Sequence, residues 1–157
     1  VFQLTADPVT VGVSVAKENQ TYEFIKKTGT IGVTIVGESA DSKVLGKFGY
    51  RSGRDVDKFK ETGLTREKAD IVSAPMIQES PVSIECRVKE IKELGSHHMF
   101  LADVVAVHAD EHYMDENNRF DLNKARPLVY SHGEYLGTGK KLGTFGYSVK
   151  KEKKRSR

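Results

Sequence analysis

Five histidines and a single cysteine bound the metal and nucleophilic chemistry open to this 157-residue chain. His108-Ala109-Asp110-Glu111-His112 has the H-x-x-E-H order of one class of zinc peptidase. That chemistry needs both imidazoles on one face of a helix and a third ligand from elsewhere. Here the motif closes a run of alternating residues, and residues four apart on a strand are much farther apart than one helical turn. It reads as a solvated loop, and no metal site is expected. His97 and His98 are adjacent, so on a strand their rings leave opposite faces and do not readily chelate one ion. One of them could face a site while the other meets a partner or solvent; a purely structural pair fits as well. Cys86 forms no internal disulfide and no C-x-x-C motif. It reads as a small buried hydrophobe in a reducing cytoplasm.

Two segments have residue types suited to an anion. In Asn19-Gln20-Thr21 an oxygen-bearing residue opens an apolar run, with Lys17 just before it and a hydroxyl at Thr21. A helix N-terminus offers free N–H groups and the positive end of a dipole, which suits a phosphate. The plain alternative is a helix cap, and the match to a glycosylation acceptor has no consequence without secretion. Ser52-Gly53-Arg54-Asp55 resembles a capping box with a glycine and an arginine, able to grip a phosphate or a polar ring edge. No Walker loop, no G-x-G-x-x-G after a strand and no nucleophile elbow is present.

The elements that must position these residues follow from periodicity. Val9, Val11, Val13 and Val15 alternate with Thr10, Gly12, Ser14 and Ala16, which predicts a strand with one buried face. Tyr22, Phe24 and Ile25, then Lys26, Lys27 and Gly29, predict a short helix with a cationic end and a glycine stop. Segment 30–36 is another strand and segment 39–46 a second short helix. Val56 and Phe59 would share the buried face of a helix capped at Ser52 and ending near Gly63, with about one helical turn over 65–69. Val82, Ile84, Cys86 and Val88 alternate with Ser83, Glu85, Arg87 and Lys89, giving a strand buried on its first face. Segment 99–109 is apolar on both faces except at Asp103 and His108, so it needs two covering surfaces. Leu94-Gly95-Ser96-His97 makes the bend between these two strands, and segment 128–136 adds one more before a glycine-rich arm. At least five strands without βαβ alternation indicate a mainly β, antiparallel barrel with peripheral α-helices.

Composition narrows the function classes. Hydrophobic residues are 38% and charged residues 30% of the chain, an ordinary globular balance. No apolar run approaches the ~20 residues that cross a bilayer, and no signal-peptide pattern opens the chain. Val1-Phe2-Gln3-Leu4 reads as the middle of a strand, so residues before Val1 are expected in the natural protein. The net charge of +3 is carried by the end: residues 150–157 hold six cations and Glu152, leaving the body, 1–149, at −2. One domain over 1–149 and a solvated basic tail over 150–157 are expected. A nucleic-acid binder would carry its positive patch on the folded surface, so an oligonucleotide-binding barrel is disfavoured, as it is by 8% aromatics and no tryptophan.

In order and spacing these blocks resemble the flavin reductase-like family of FMN-binding, antiparallel Greek-key split β-barrels. Val1-Phe2-Gln3-Leu4-Thr5-Ala6-Asp7-Pro8 followed by the valine strand is similar to the family's strand pair, and 17–25 to its phosphate-side turn and helix. Ser52-Gly53-Arg54-Asp55-Val56-Asp57-Lys58-Phe59, Leu94 to Phe100, Tyr130-Ser131-His132-Gly133 and 141–148 are similar to the flavoredoxin branch. The opening Phe2-Gln3-Leu4-Thr5 also resembles ferric reductases and the flavin domains fused to rubredoxin. The resemblance implies a homodimer with FMN near the subunit interface. It also implies about one more strand pair before Val1. On this chain, Phe2, Gln3, Leu4 and Thr5 would line the isoalloxazine or ribityl side. Lys17, Asn19 and Thr21 would hold the phosphate, and Ser52, Gly53 and Arg54 would approach the flavin. His97 would stand near the ring or the nicotinamide, and His98, where relatives often carry aspartate, would alter that side. The implied activity passes reducing equivalents from NAD(P)H through FMN to free flavin, ferric iron or a protein acceptor. The alternative is an FMN-holding electron carrier reduced by a partner protein. Either needs no protein nucleophile, because the flavin carries the redox chemistry.

Overall fold

The computed structural model describes residues 1–38 and 48–149. The expected helix over 39–46 and the basic tail over 150–157 lie outside the described residues. The chain opens with a hairpin of β1 (Phe2–Ala6) and β2 (Val9–Ala16), then α1 (Gln20–Thr28) and β3 (Thr30–Ile35). Helix α2 (Lys58–Thr62) leads to two short strands, β4 (Arg66–Glu67) and β5 (Met76–Ile77). The long hairpin of β6 (Val82–Leu94) and β7 (His97–Ala109) follows, then α3 (Leu122–Ala125), β8 (Leu128–Ser131) and β9 (Glu134–Gly137). Five strands form one antiparallel sheet in the order β1-β2-β7-β6-β3, while β4-β5 and β8-β9 pair separately.

The alternating valines behave as their spacing requires. Val11, Val13 and Val15 are buried with Ile31 and Val33 of β3 and with Cys86, Phe100 and Ala102 of the long hairpin. Tyr22 and Ile25 of α1 close over them, so the helix start is fixed against the sheet. Each fully buried aliphatic side chain contributes about 1.5–3 kcal/mol. Helix α1 ends at Gly29, whose φ of 67° is left-handed and whose N–H donates to Ile25 O at 2.8 Å. Gly95, φ 52°, opens the two-residue turn between Leu94 and His97.

Five expectations change. Asn19 sits at the N-cap of α1, but its side chain makes no cap hydrogen bond. The cap of α2 is Asp57, which accepts from the N–H groups of Phe59 and Lys60, so the helix starts after the Ser52 segment. Ser52 instead closes a tight turn, its Oγ accepting from Arg54 N at 3.2 Å. Segment 65–69 holds strand β4, paired to β5, where a helical turn was expected. Segment 128–136 is two strands, because His132 and Gly133 both take positive φ, 50° and 88°, and turn the chain back. On β6 the polar face is solvated only from Arg87 onward: Ser83 is 5% and Glu85 0% exposed. A bulge between Glu85 and Cys86 makes Val105 the extra residue on β7, so Val104 packs on the main core and Val105 on a second cluster of Ala69, Val72 and Met76.

Candidate functional site

A cavity of about 1050 Å³ opens where α1 begins. Asn19, Gln20 and Thr21 form one wall, and Ser52, Gly53 and Arg54 another. Two segments some thirty residues apart in sequence thus meet at one space. Arg54 Nη1 donates to Glu18 O at 3.1 Å, tying the second segment to the turn before α1. The two segments touch: a Cβ at Gly53 would stand 2.5 Å from Gln20 Oε1, the movable end of that side chain. Since Asn19 leaves the first-turn amides uncapped by its side chain, the helix start retains donors for an anion.

The remaining walls carry the signals that sequence reasoning missed. Phe24, Phe48, Tyr50 and Phe59 add aromatic surface, with Phe24 58% and Tyr50 92% exposed. Lys58 donates to Phe48 O at 2.7 Å. Among the described residues, Arg51, Arg54 and Lys58 line the cavity with Glu18 and Glu79, so the described ionisable lining is positive by one. Burial pushes the Glu79 carboxyl up, but hydrogen bonds from Thr65 hold it below its ordinary value, so it stays charged. Gly32, Pro75, Ile77 and Pro81 complete the far, mostly apolar side. A planar ring with an anionic tail fits this donor set: aromatics and prolines for the ring, an uncapped helix start and Arg54 for the tail. At about 1050 Å³ the space is at the upper end of ordinary ligand sites. None of the far-side residues has a local motif; of these walls, Phe24 lies in the 17–25 block of the family resemblance and Lys58 and Phe59 in the 52–59 block.

The other expected site residues lie outside this lining. Lys17 follows β2, its N–H donating to Ser96 O at 3.3 Å. Phe2, Gln3, Leu4 and Thr5 are exposed along the edge strand β1, with the Phe2 ring laid over Gly12. His97 is exposed at the base of the β6–β7 turn, its Nδ1 2.9 Å from Ser96 Oγ. His98 faces the other way, 6% exposed and edge-on to Tyr22 with ring centres 5.1 Å apart. The H-x-x-E-H segment separates as well. His108 lies 2.6 Å from Glu85, whereas His112, in the 3-10 turn Glu111–Tyr113, pairs with Asp110 at 2.8 Å. The Cys86 thiol is fully buried, and burial pushes it up to about 11, which leaves it inert.

A protein-family model described as "Flavin reductase like domain" matches residues 1–139. The chain belongs to the flavin reductase-like family. Its fold is that family's split barrel, mainly β with antiparallel sheets. The flavoredoxin of Desulfovibrio vulgaris (Miyazaki F) superposes with a TM-score of 0.87 at 26% identity, covering 95% of this chain and 80% of that one. The flavoredoxin of Methanosarcina acetivorans gives 0.80 at 28%, covering 95% and 81%. Among curated proteins, the ferric-chelate reductase (NAD(P)H) of Archaeoglobus fulgidus is 30% identical over 106 residues, 67% of this chain and 61% of that protein. The high molecular weight rubredoxin of Moorella thermoacetica is 29% identical over 104 residues, 66% and 44%. The chain spans about half the length of the curated relatives it matches. Among the described residues no helix is long and apolar enough to cross a membrane.

Proposed function

We propose that this flavin reductase-like domain binds FMN in the cavity at the start of α1 and passes reducing equivalents from NAD(P)H to free flavin, ferric iron or a protein acceptor. The observation that carries the reading is the convergence of Asn19–Thr21 and Ser52–Arg54, which residue pattern marks separately and the family resemblance puts at one flavin, on one aromatic-lined space. When bound, FMN supplies the redox chemistry. The α1 amides and Arg54 hold the phosphate, Thr21 adds a hydroxyl, and the aromatic and proline walls exclude water from the ring. Lys17 adjoins the lining residues Glu18 and Asn19, whereas His97 and Phe2 to Thr5 would reach the cofactor through the homodimer that the family resemblance implies. The exposure of Phe2 and Leu4 at 50% and 40% supports a cover over β1.

The similarity to two flavoredoxins at 26% and 28% identity favours a second reading, an FMN-holding electron carrier reduced by another protein. One anaerobic experiment separates the two. The purified protein is loaded with FMN, and NADH or NADPH is added. Rapid bleaching of the yellow absorbance supports direct reduction; tight FMN binding with slow bleaching supports the carrier. Failure to take up FMN at all rejects both.

A further inference from the structure

A buried carboxylate stands behind the cavity wall. Glu85 of β6 is 0% exposed. Its Oε1 accepts from Asp70 N at 2.8 Å and lies 2.6 Å from His108 Nε2. Its Oε2 accepts from Ile71 N and Val72 N, both at 2.8 Å. Three successive main-chain N–H groups converging on one anion make a nest. With the imidazole they occupy the acceptor positions of both oxygens. Asp70, Glu85 and His108 also bring ligand atoms within 4.8 Å of one another, but with the Glu85 lone pairs already bonded a cation there would have to displace the nest.

The loop that the nest grips is the far wall of the cavity. After Val72, Ser73 Oγ lies 3.1 Å from Thr30 Oγ1 on β3. Ala74 and Pro75 then cross β3 at Gly32, where a Cβ would stand 3.2 Å from Pro75 O and 3.3 Å from Ala74 Cβ. Gly32, Pro75 and Ile77 all line the cavity. The far end of the loop is held by the pairing of Met76 and Ile77 with β4, so the stretch from Asp70 to Pro75 is the part left to the nest; within it Ile71 is 50% exposed. We propose that Glu85 is a positioning residue for the ligand cavity, its carboxylate fixing loop 70–75 so that Pro75 presents a preformed wall. Burial pushes the Glu85 carboxyl up, but the amides of Asp70, Val72 and Ile71 and the His108 ring outweigh it and hold the group at about 2, so the clamp is charged at neutral pH.

The binding arm of the test rests on the flavin reading; the exchange arm does not. Glu85→Gln puts an NH2 where N–H donors already point, so at least one loop amide loses its acceptor. Amide exchange at Asp70, Ile71 and Val72 is expected to accelerate roughly tenfold or more. FMN affinity is expected to fall roughly tenfold, because the wall must be ordered on binding. Val13→Ala, a core truncation on β2 away from the loop, is the comparison: it lowers stability but leaves loop exchange and FMN affinity unchanged. If Glu85→Gln does not fold, His108→Leu removes one donor and gives a smaller change of the same sign. Unchanged exchange at 70–72, or equal losses of FMN affinity in Glu85→Gln and Val13→Ala, overturns the proposal. Wild-type protein that binds no FMN sinks the flavin reading alone, and the exchange comparison still decides the role of Glu85.

Discussion

Glu85 and His98 are both buried polar side chains on the long hairpin, and they face opposite energetics. Glu85 has a donor for every position; among the described residues neither His98 ring nitrogen has a hydrogen-bond partner. An unsatisfied buried polar group costs about 1–3 kcal/mol. His98→Leu, which keeps an apolar body against Tyr22, is therefore expected to stabilise the fold by about 1–2 kcal/mol. A higher urea midpoint at unchanged slope is the readout, and a lower midpoint refutes it. Glu85 makes stability depend on acid. Its folded value of about 2 lies below the ordinary 4.5, so its contribution is complete above pH 4.5 and is lost as pH falls towards 2. Between pH 6 and pH 3 the loss is roughly 2 kcal/mol. Asp70 and His108 face the same carboxylate, and Glu79, Asp110 and Asp115 are also held low, so the comparison is with Glu85→Gln. Urea midpoints across this range should fall less steeply in that variant; parallel curves would show that Glu85 is not the source.

At the level of elements, local signals were legible wherever the controlling contact is local. The glycine stop of α1, the valine alternation of β2 and the Gly95-Ser96 turn each depend on a few neighbouring residues. Gly29 allows a clean test of the first. Its φ is 67° and a Cβ there would meet nothing within 4 Å, so Gly29→Ala carries only the left-handed backbone penalty. About 1 kcal/mol of destabilisation is expected in urea unfolding; a neutral result would mean the helix end reshapes freely. The failures share the opposite property. Ser52 competes with Asp57 for the start of α2, and pattern alone does not rank two adjacent oxygen-bearing caps. Strand β4 is fixed by β5, ten residues on, and the Thr65 amide by Glu79, fourteen residues on. The burial of Glu85 is set by a loop before it and a histidine 23 residues after it. Alternation read Glu85 as solvated because the bulge that re-aims β7 has no signature in β6 itself.

At the scale of the whole molecule, residue pattern marked two candidate anion segments and the family resemblance put both at one flavin, but neither supplied the contact that joins them, the Arg54 bond to Glu18. Ligand linkage tests whether their meeting matters. A ligand that binds only the folded state at a hundred times its dissociation constant adds about 2.7 kcal/mol. For a domain of this size that raises Tm by roughly 5–10 °C. FMN should do so. Riboflavin, which presents the same ring without the phosphate, should need a much higher concentration for an equal rise, because the α1 amides and Arg54 then have no anion to bind. Arg54→Ala should narrow the gap between the two ligands by weakening FMN while leaving riboflavin nearly unchanged. Raising ionic strength should act in the same direction, since the described cavity lining is positive by one and Arg54 is exposed. Equal shifts with FMN and riboflavin in thermal melts would place the phosphate away from α1 and leave the Asn19–Thr21 turn as a helix start only.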